Sequence, residues 1–192
     1  CNIEDGINGN VTPIGFIAFE NPIRENAVDT FNYFKSQGVD IKVISGDNPL
    51  TVSQIASQAG IENAENYIDA SLLDTDKKIQ EAISFYTVFG RVTPKQKQKL
   101  VKALQADGHT VAMTGDGVND ILAMKDADCS VAMASGSEAA THAAQVVLLD
   151  SDFAHMPDLV YEGRRVVNNI ERSASLFLVK NIFSLLLAVL SA

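Results

Sequence analysis

Two carboxylates four residues apart, Asp116 and Asp120, sit in the string Met113-Thr114-Gly115-Asp116-Gly117-Val118-Asn119-Asp120. An apolar run, Thr110-Val111-Ala112, precedes it, and a helix-like stretch follows. The pattern puts both acids on a glycine-flanked turn at the carboxyl end of a strand, the edge at which open parallel sheets bind ligands. Magnesium prefers oxygen donors, uses one or two carboxylates, and takes its other ligands from water and phosphate. Taken alone, Gly-Asp-Gly is equally an ordinary turn, and Asp120 an acid in the first turn of a helix.

Two further groups converge on the same chemistry. Ser45-Gly46-Asp47 closes the apolar stretch Val39 to Ile44. A hydroxyl and backbone N–H groups there can hold phosphate oxygens, helped by the positive end of a helix starting near Pro49. The bland alternative is a helix cap by Ser45 or Asp47. Lys97 lies in the first turns of a helix opened by Pro94 and can reach over the same edge to neutralise phosphate. Lys95, Lys97 and Lys99 diverge around such a helix, so spacing does not choose among them. In this reading Asp116 binds the metal, while Asn119 and Asp120 brace the loop or position water, with Asp120 also beside the metal. A nucleophile is lacking. Phosphoryl transfer through a covalent intermediate needs an attacking aspartate, and Asp5 and Asp29 follow no apolar run.

These groups need a scaffold of alternating strands and helices. Strands are expected at Gly15–Phe19, Val39–Ile44, Tyr67-Ile68, Thr87–Phe89, the run entering Asp116, Cys129–Met133 and Val146–Leu149. Helices are expected at Ile23–Gln37, Pro49–Ala59, Asp74–Ser84, Pro94 to Asp107, and Asn119–Lys125. Such alternation implies right-handed crossovers and a largely parallel sheet.

From Pro157 onward the pattern changes. Leu159, Gly163, Val166, Ile170, Ala174 and Phe177 recur at helical spacing and run into Leu176–Leu190, an apolar tail interrupted by Lys180, Asn181 and Ser184. A bilayer span takes about 20 residues, and Arg164, Arg165 and Arg172 suit a cytoplasmic flank. The run is expected to enter a membrane, the rival being a soluble helix that buries its end. The first residue is Cys1 and no signal peptide precedes it, so the chain reads as a piece of a longer protein.

Composition narrows the classes. The 192 residues are 46% hydrophobic, enough for a buried core, and the net charge of −9 argues against a nucleic-acid partner. Cys1 and Cys129 match no metal-ligand spacing and no disulfide scaffold, and Cys129 reads as a small core residue.

Together these motifs resemble the phosphorylation domain of P-type cation-transporting ATPases, within the haloacid dehalogenase superfamily. Met113–Asp120 is similar to the family's T-G-D-G-x-N-D hinge, and Ser45-Gly46-Asp47 to its T-G-D motif, with Ser45 keeping the hydroxyl. Lys97 matches the lysine paired with the aspartyl phosphate, and Arg91 an arginine near the nucleotide. Asn21-Pro22-Ile23-Arg24 resembles a D-P-P-R stretch, and Glu162-Gly163-Arg164 with Asn168-Asn169-Ile170 the start of a stalk helix.

The resemblance implies an α/β fold with a Rossmann-like three-layer parallel sheet over 1–153, then a stalk and the start of a transmembrane helix over 154–192. It implies ATP and Mg2+ as cofactors, and the transported cation, the lipid bilayer and the remainder of the pump as partners. The location is a multi-pass plasma membrane with residues 1 to about 172 on the cytoplasmic side. The D-K-T-G-T segment is absent, as are many relatives' Ala-Pro at Ile121-Leu122. The absent strand would be central, between those ending at Ser45 and Asp116, and the chain alone would be inactive. The alternatives are a soluble phosphatase of the same superfamily and a non-enzymatic binding or regulatory fragment. Calcium is the first guess for the cation.

Overall fold

The computed structural model describes residues 22–191. The strand expected at Gly15–Phe19 and Asn21 of the Asn-Pro-Ile-Arg stretch lie outside the described residues. The elements run α1 (Ala27–Ser36), β1 (Val43–Ile44), α2 (Pro49–Gln58), β2 (Tyr67–Asp69), α3 (Asp76–Phe85), β3 (Val88–Gly90) and α4 (Pro94–Ala106). They continue as β4 (Ala112–Gly115), α5 (Ile121–Asp126), β5 (Cys129–Met133), α6 (Glu138–Ala143), β6 (Val146–Leu148) and α7 (Met156–Leu190).

Among the described residues the strands form two parallel sheets of three, ordered β1-β3-β2 and β4-β5-β6. Val43 pairs with Val88 and Tyr67 also with Val88, so β3 is central in the first sheet. Met113 pairs with Ser130 and Val131 with Val146, which makes β5 central in the second. The edges differ from the centres as this order demands. All three residues of β3 are buried, those of β1 only partly, and Ala112 at the start of β4 is exposed.

Helices cover both faces of each sheet, giving three layers. Below the first sheet, Ile79, Ile83 and Leu100 of α3 and α4 pack with Phe89. Above it, Val52 and Ala56 of α2 pack with Val88. Phe89 and Leu100 are each 1% exposed, and burying a side chain of that kind contributes about 1.5–3 kcal/mol. The second sheet rests on α5 and α6 through Met124 and Ala140. Helix α1 lies across both sheets: Phe31 joins the cluster around Val88, while Phe34 packs with Val131 and Leu148.

The strand at Val39–Ile44 is shorter than expected, because among the described residues only Val43 and Ile44 find a partner, on the β3 side. The periodicity also missed α6, a six-residue helix capped by Ser137. The long terminal helix is present. Helix α7 has 35 residues, with Pro157 in its first turn, where a missing N–H costs nothing. Its base packs on α1 through Phe153, whose ring lies tilted at 6.0 Å from that of Phe31 and 5.9 Å from that of Phe34. Arg24 donates to the Ser151 carbonyl at 3.1 Å and meets Asp152 at 3.4 Å, and Arg164 donates to Gln37 at the far end of α1. Thus α1 and the base of α7 run side by side in one direction, toward the amino ends of the strands. From Tyr161 to Ser191 every residue is exposed.

Candidate phosphoryl site at the carboxyl edge of the sheets

Three connections meet where β1, β3 and β4 end. The turn after β1 is stitched to the turn after β3: the Ser45 carbonyl accepts from Val92 N–H at 3.0 Å, and the Asp47 carbonyl from Arg91 N–H at 2.8 Å. Within the turn, Asp47 N–H donates to Ser45 Oγ at 3.1 Å, and Ser45 Oγ donates to Asp47 Oδ2 at 3.0 Å. Asn48 caps α2, accepting from Leu50 N–H at 3.0 Å. The helix-cap reading of Ser45 and Asp47 is thereby corrected. The cap is one residue further on, which leaves the Ser45 hydroxyl and the exposed Gly46 and Asp47 at the open edge.

Helix α4 starts from the same place. Thr93 and Gln96 form a capping box, with Gln96 N–H to Thr93 Oγ1 at 3.3 Å and Thr93 N–H to Gln96 Oε1 at 3.1 Å. That fixes the rotation of the helix and hence which lysine turns inward. Lys97 does, donating to Asp120 Oδ1 at 2.6 Å, with side chains only 12% and 10% exposed. Lys99 turns out to Asp76 and keeps 50% exposure, and Lys95 is exposed. Burial makes the choice that spacing left open.

The loop after β4 is built for close approach. A Cβ at Gly115 would lie 2.6 Å from Asp120 Cβ, so only glycine lets Asp120 fold back under the loop. Asp120 Oδ2 then accepts from Gly117 N–H at 3.3 Å, so both carboxylate oxygens are engaged. Asp116 is treated differently. Its carbonyl accepts from Ser137 N–H at 2.7 Å, and a Cβ at Gly136 would sit 2.5 Å from that carbonyl oxygen. The backbone is clamped while the carboxylate stays exposed, without a hydrogen bond or ion pair to any described residue. Gly136 and Ser137 were not legible as site residues. The only signal was a small pair, Gly-Ser, just before Glu138.

Arg91 ends β3 with φ of 52°, a left-handed conformation that costs a non-glycine residue energy. Its guanidinium pairs with Asp69 Oδ2 at 2.8 Å. The Asp69 carboxyl is held below its ordinary range, first by hydrogen bonds from Ser71 and then by Arg91. Asn119 is exposed beside Asp120. The structure therefore brings Ser45, Gly46, Asp47, Arg91, Lys97, Asp116, Asn119 and Asp120 to one edge. A hydroxyl, a buried ammonium and a free carboxylate at that edge suit a phosphoryl group with a divalent cation.

The sequence model of haloacid dehalogenase-like hydrolases matches residues 2–128. The chain belongs to this family.

Among haloacid dehalogenase-like proteins it is most informatively compared with cation pumps. It is 48% identical over 180 residues to a probable cation-transporting ATPase, exp7, of Streptococcus pneumoniae, covering 94% of this chain and 23% of that protein. It is 51% identical over 183 residues to the calcium-transporting ATPase CtpE of Mycobacterium tuberculosis, covering 95% of this chain and again 23% of the relative. The chain thus spans under a quarter of the length of these relatives. A zinc-transporting PIB-type ATPase in an E2.Pi state superposes with a TM-score of 0.63 at 25% identity, covering 80% of this chain and 21% of that one. The catalytic domain of the CPx-ATPase CopB-B gives 0.56 at 26% identity, covering 71% and 45%. The resemblance to P-type cation-transporting ATPases read from the motifs holds, and helix Phe153–Leu190 is long and apolar enough to cross a membrane.

Proposed function

We propose that the chain is the C-terminal part of the phosphorylation domain of an ATP-driven cation pump, followed by its stalk and the start of a membrane helix. The observation that carries this reading is the enclosed Lys97–Asp120 pair at the carboxyl edge, beside the Ser45 turn and the free Asp116 carboxylate.

Each residue has a task. Ser45 exchanges Asp47 for a phosphoryl oxygen as the acceptor of its hydroxyl, and the N–H groups of the turn add donors at the start of α2. Lys97 spends one N–H on Asp120 and keeps two for the phosphoryl group and the attacking carboxylate. Asp120 holds that ammonium in place, and Asn119 positions water. Arg91, oriented by Asp69, faces the nucleotide. Asp116, with Asp120 behind it, would hold Mg2+. Among the described residues no three His, Cys, Asp or Glu side chains cluster as a complete metal cage. That fits an ion which takes most of its ligands from phosphate and water. Bound magnesium supplies charge neutralisation of the phosphoryl oxygens.

The attacking aspartate would come from a strand inserted between β1 and β4, whose outer edges have no strand partner among the described residues. ATP would phosphorylate that aspartate and water would release it, coupled to cation movement through the membrane part. The soluble-phosphatase alternative is disfavoured by the exposed apolar length of α7.

The test is complementation. The purified 192 residues should neither hydrolyse ATP nor form a phosphoenzyme. Mixing them with a fragment that carries the missing strand and nucleotide-binding part should yield a hydroxylamine-labile phosphoenzyme. Steady ATP turnover by the 192 residues alone would refute the reading.

A further inference from the structure

The consecutive N–H groups of Ala134 to Ser137 are all spent on holding the turn after β5. Ala134 donates to the Leu148 carbonyl at 3.0 Å, and Ser135 to Ser151 Oγ at 2.8 Å. Gly136 closes the turn on the Met133 carbonyl at 3.0 Å, and Ser137 reaches the Asp116 carbonyl at 2.7 Å. The turn therefore bridges two connections along the carboxyl edge. One is the loop after β4 that carries Asp116, and the other is the link from β6 to α7.

Both ends of this bridge are tight. The ladder between β4 and β5 ends at Gly115 and Ala132, so Asp116 is the first residue beyond it. A Cβ at Gly136 would lie 2.5 Å from the Asp116 carbonyl oxygen and 2.9 Å from its Cα. These are backbone atoms, so they cannot yield without moving the loop. At the other end Ser151 has a φ of 55°, a conformation that strains serine and suits glycine. All its polar groups are engaged. Its N–H donates to the Leu148 carbonyl at 3.1 Å, its hydroxyl accepts from Ser135, and its carbonyl accepts from Arg24 at 3.1 Å. Strain persists where the surroundings over-determine it, and it marks positions where the side chain has a use. Among the described residues the use of the Ser151 hydroxyl is its bond to the turn.

We propose that Gly136 and Ser151 are positioning residues for Asp116: through the Ser135–Ser137 turn they set where its carboxylate stands, and with it the Mg2+ affinity of the site. Both act through the Asp116 backbone. The root of α7 becomes the far anchor of the metal loop. The inference rests on the reading of Asp116 as the magnesium ligand.

The test uses the complete polypeptide in membrane vesicles. Phosphoenzyme is measured against Mg2+ concentration, and hydrogen exchange at Ser137 is measured without Mg2+. Gly136→Ala should raise the half-maximal Mg2+ concentration about tenfold or more, since misplacing a reacting group by about 1 Å is costly. Ser151→Gly removes one hydrogen bond while fitting the backbone, so its rise should be about fivefold. It should speed exchange at Ser137 by a similar factor and leave the melting temperature unchanged. In both variants, saturating Mg2+ should restore most of the phosphoenzyme. Thr75→Ala, which removes the cap of the remote α3, should leave the Mg2+ requirement alone.

Asp116→Asn separates the two readings. If it keeps the parent's Mg2+ dependence, Asp116 is not the ligand and both readings fall. If it shifts that dependence while Gly136→Ala and Ser151→Gly do not, only the positioning inference falls. A shift with Gly136→Ala alone removes Ser151 from the assignment. Should Gly136→Ala fail to accumulate, Ser151→Gly decides. A loss of phosphoenzyme in Ser151→Gly that is equal at all Mg2+ concentrations, or a matching shift in Thr75→Ala, makes the effect one of general stability and overturns the inference.

Discussion

Two of the molecule's long-range ion pairs are held in very different ways. At the carboxyl edge, Lys97 and Asp120 meet at 2.6 Å with side chains 12% and 10% exposed. At the base of α7, Arg24 and Asp152 meet at 3.4 Å with 66% and 31% exposure. The first is wedged under a loop that only glycine at 115 permits. The second is one strand of a loose net with Asn26 and the Ser151 carbonyl. The contrast teaches where position matters. The Lys97 ammonium is fixed by enclosure, whereas the joint between α1 and α7 is fixed by the tilted ring contacts of Phe31, Phe34 and Phe153 and only trimmed by charge.

Breaking the enclosed pair should have the largest effect. Lys97→Met leaves Asp120 without its cation in a nearly dry site, and breaking a buried pair costs about 3–5 kcal/mol. Denaturant titration of the chain in detergent should show that loss, and complemented phosphoenzyme should disappear. Adding Asp120→Leu should restore much of the stability but none of the phosphorylation. A Lys97→Met protein as stable as the parent would mean that the pair is not enclosed.

Gly115→Ala attacks the same pair through the backbone. Its Cβ would collide with Asp120, and overpacking of this kind costs roughly 1–3 kcal/mol. The stability loss should be partial, with a fall in complemented phosphorylation as Asp120 and Lys97 shift. Asn48→Ala removes the cap of α2 and should cost about 1 kcal/mol. On the proposed function it should spare phosphorylation more than Ser45→Ala does, because Asn48 caps the helix while the Ser45 hydroxyl is left at the open edge.

The smallest effect is expected at the stalk base. Arg24→Ala should change stability near the detection limit, and salt should erase the difference, since exposed pairs are screened. The pH dependence there has a definite sign. The Asp152 carboxyl lies below its ordinary range, first through the Ala154 N–H and then through Asn26 and Arg24. A carboxyl depressed in the folded state stabilises above its unfolded pKa of about 3.9 and loses that contribution as pH falls toward the folded value. Asp152→Asn should therefore narrow its stability deficit on acidification below pH ~4. A constant deficit across that window would remove the assignment.

The sequence showed elements best where local chemistry and tertiary demand agree. Pro49 and Pro94 opened α2 and α4, and the apolar repeat of α7 needed no context. It drew β1 longer than the two residues observed, because a β-rich run becomes a strand only where a partner lies alongside, and Val39–Lys42 have none among the described residues. It missed α6, whose Ala, Thr and His side chains carry no apolar stripe. The motif residues were legible by type and spacing, but not their division of labour. Which lysine turns inward is set by the capping box of α4, and the clamp on Asp116 comes from Gly136 and Ser137, distant in sequence.

One feature of α7 reaches beyond chemistry. At about 1.5 Å per residue its 35 residues make a rod of roughly 52 Å. Its root is held to the body by the tilted ring contacts of Phe153, and no proline or break interrupts the helix after its first turn. Such a rod amplifies angle into displacement: a tilt of about 5° at its root sweeps the tip through roughly 4.5 Å. A small change of angle at the rings is thus enlarged, by leverage alone, to a displacement of several ångströms at the far end of the helix.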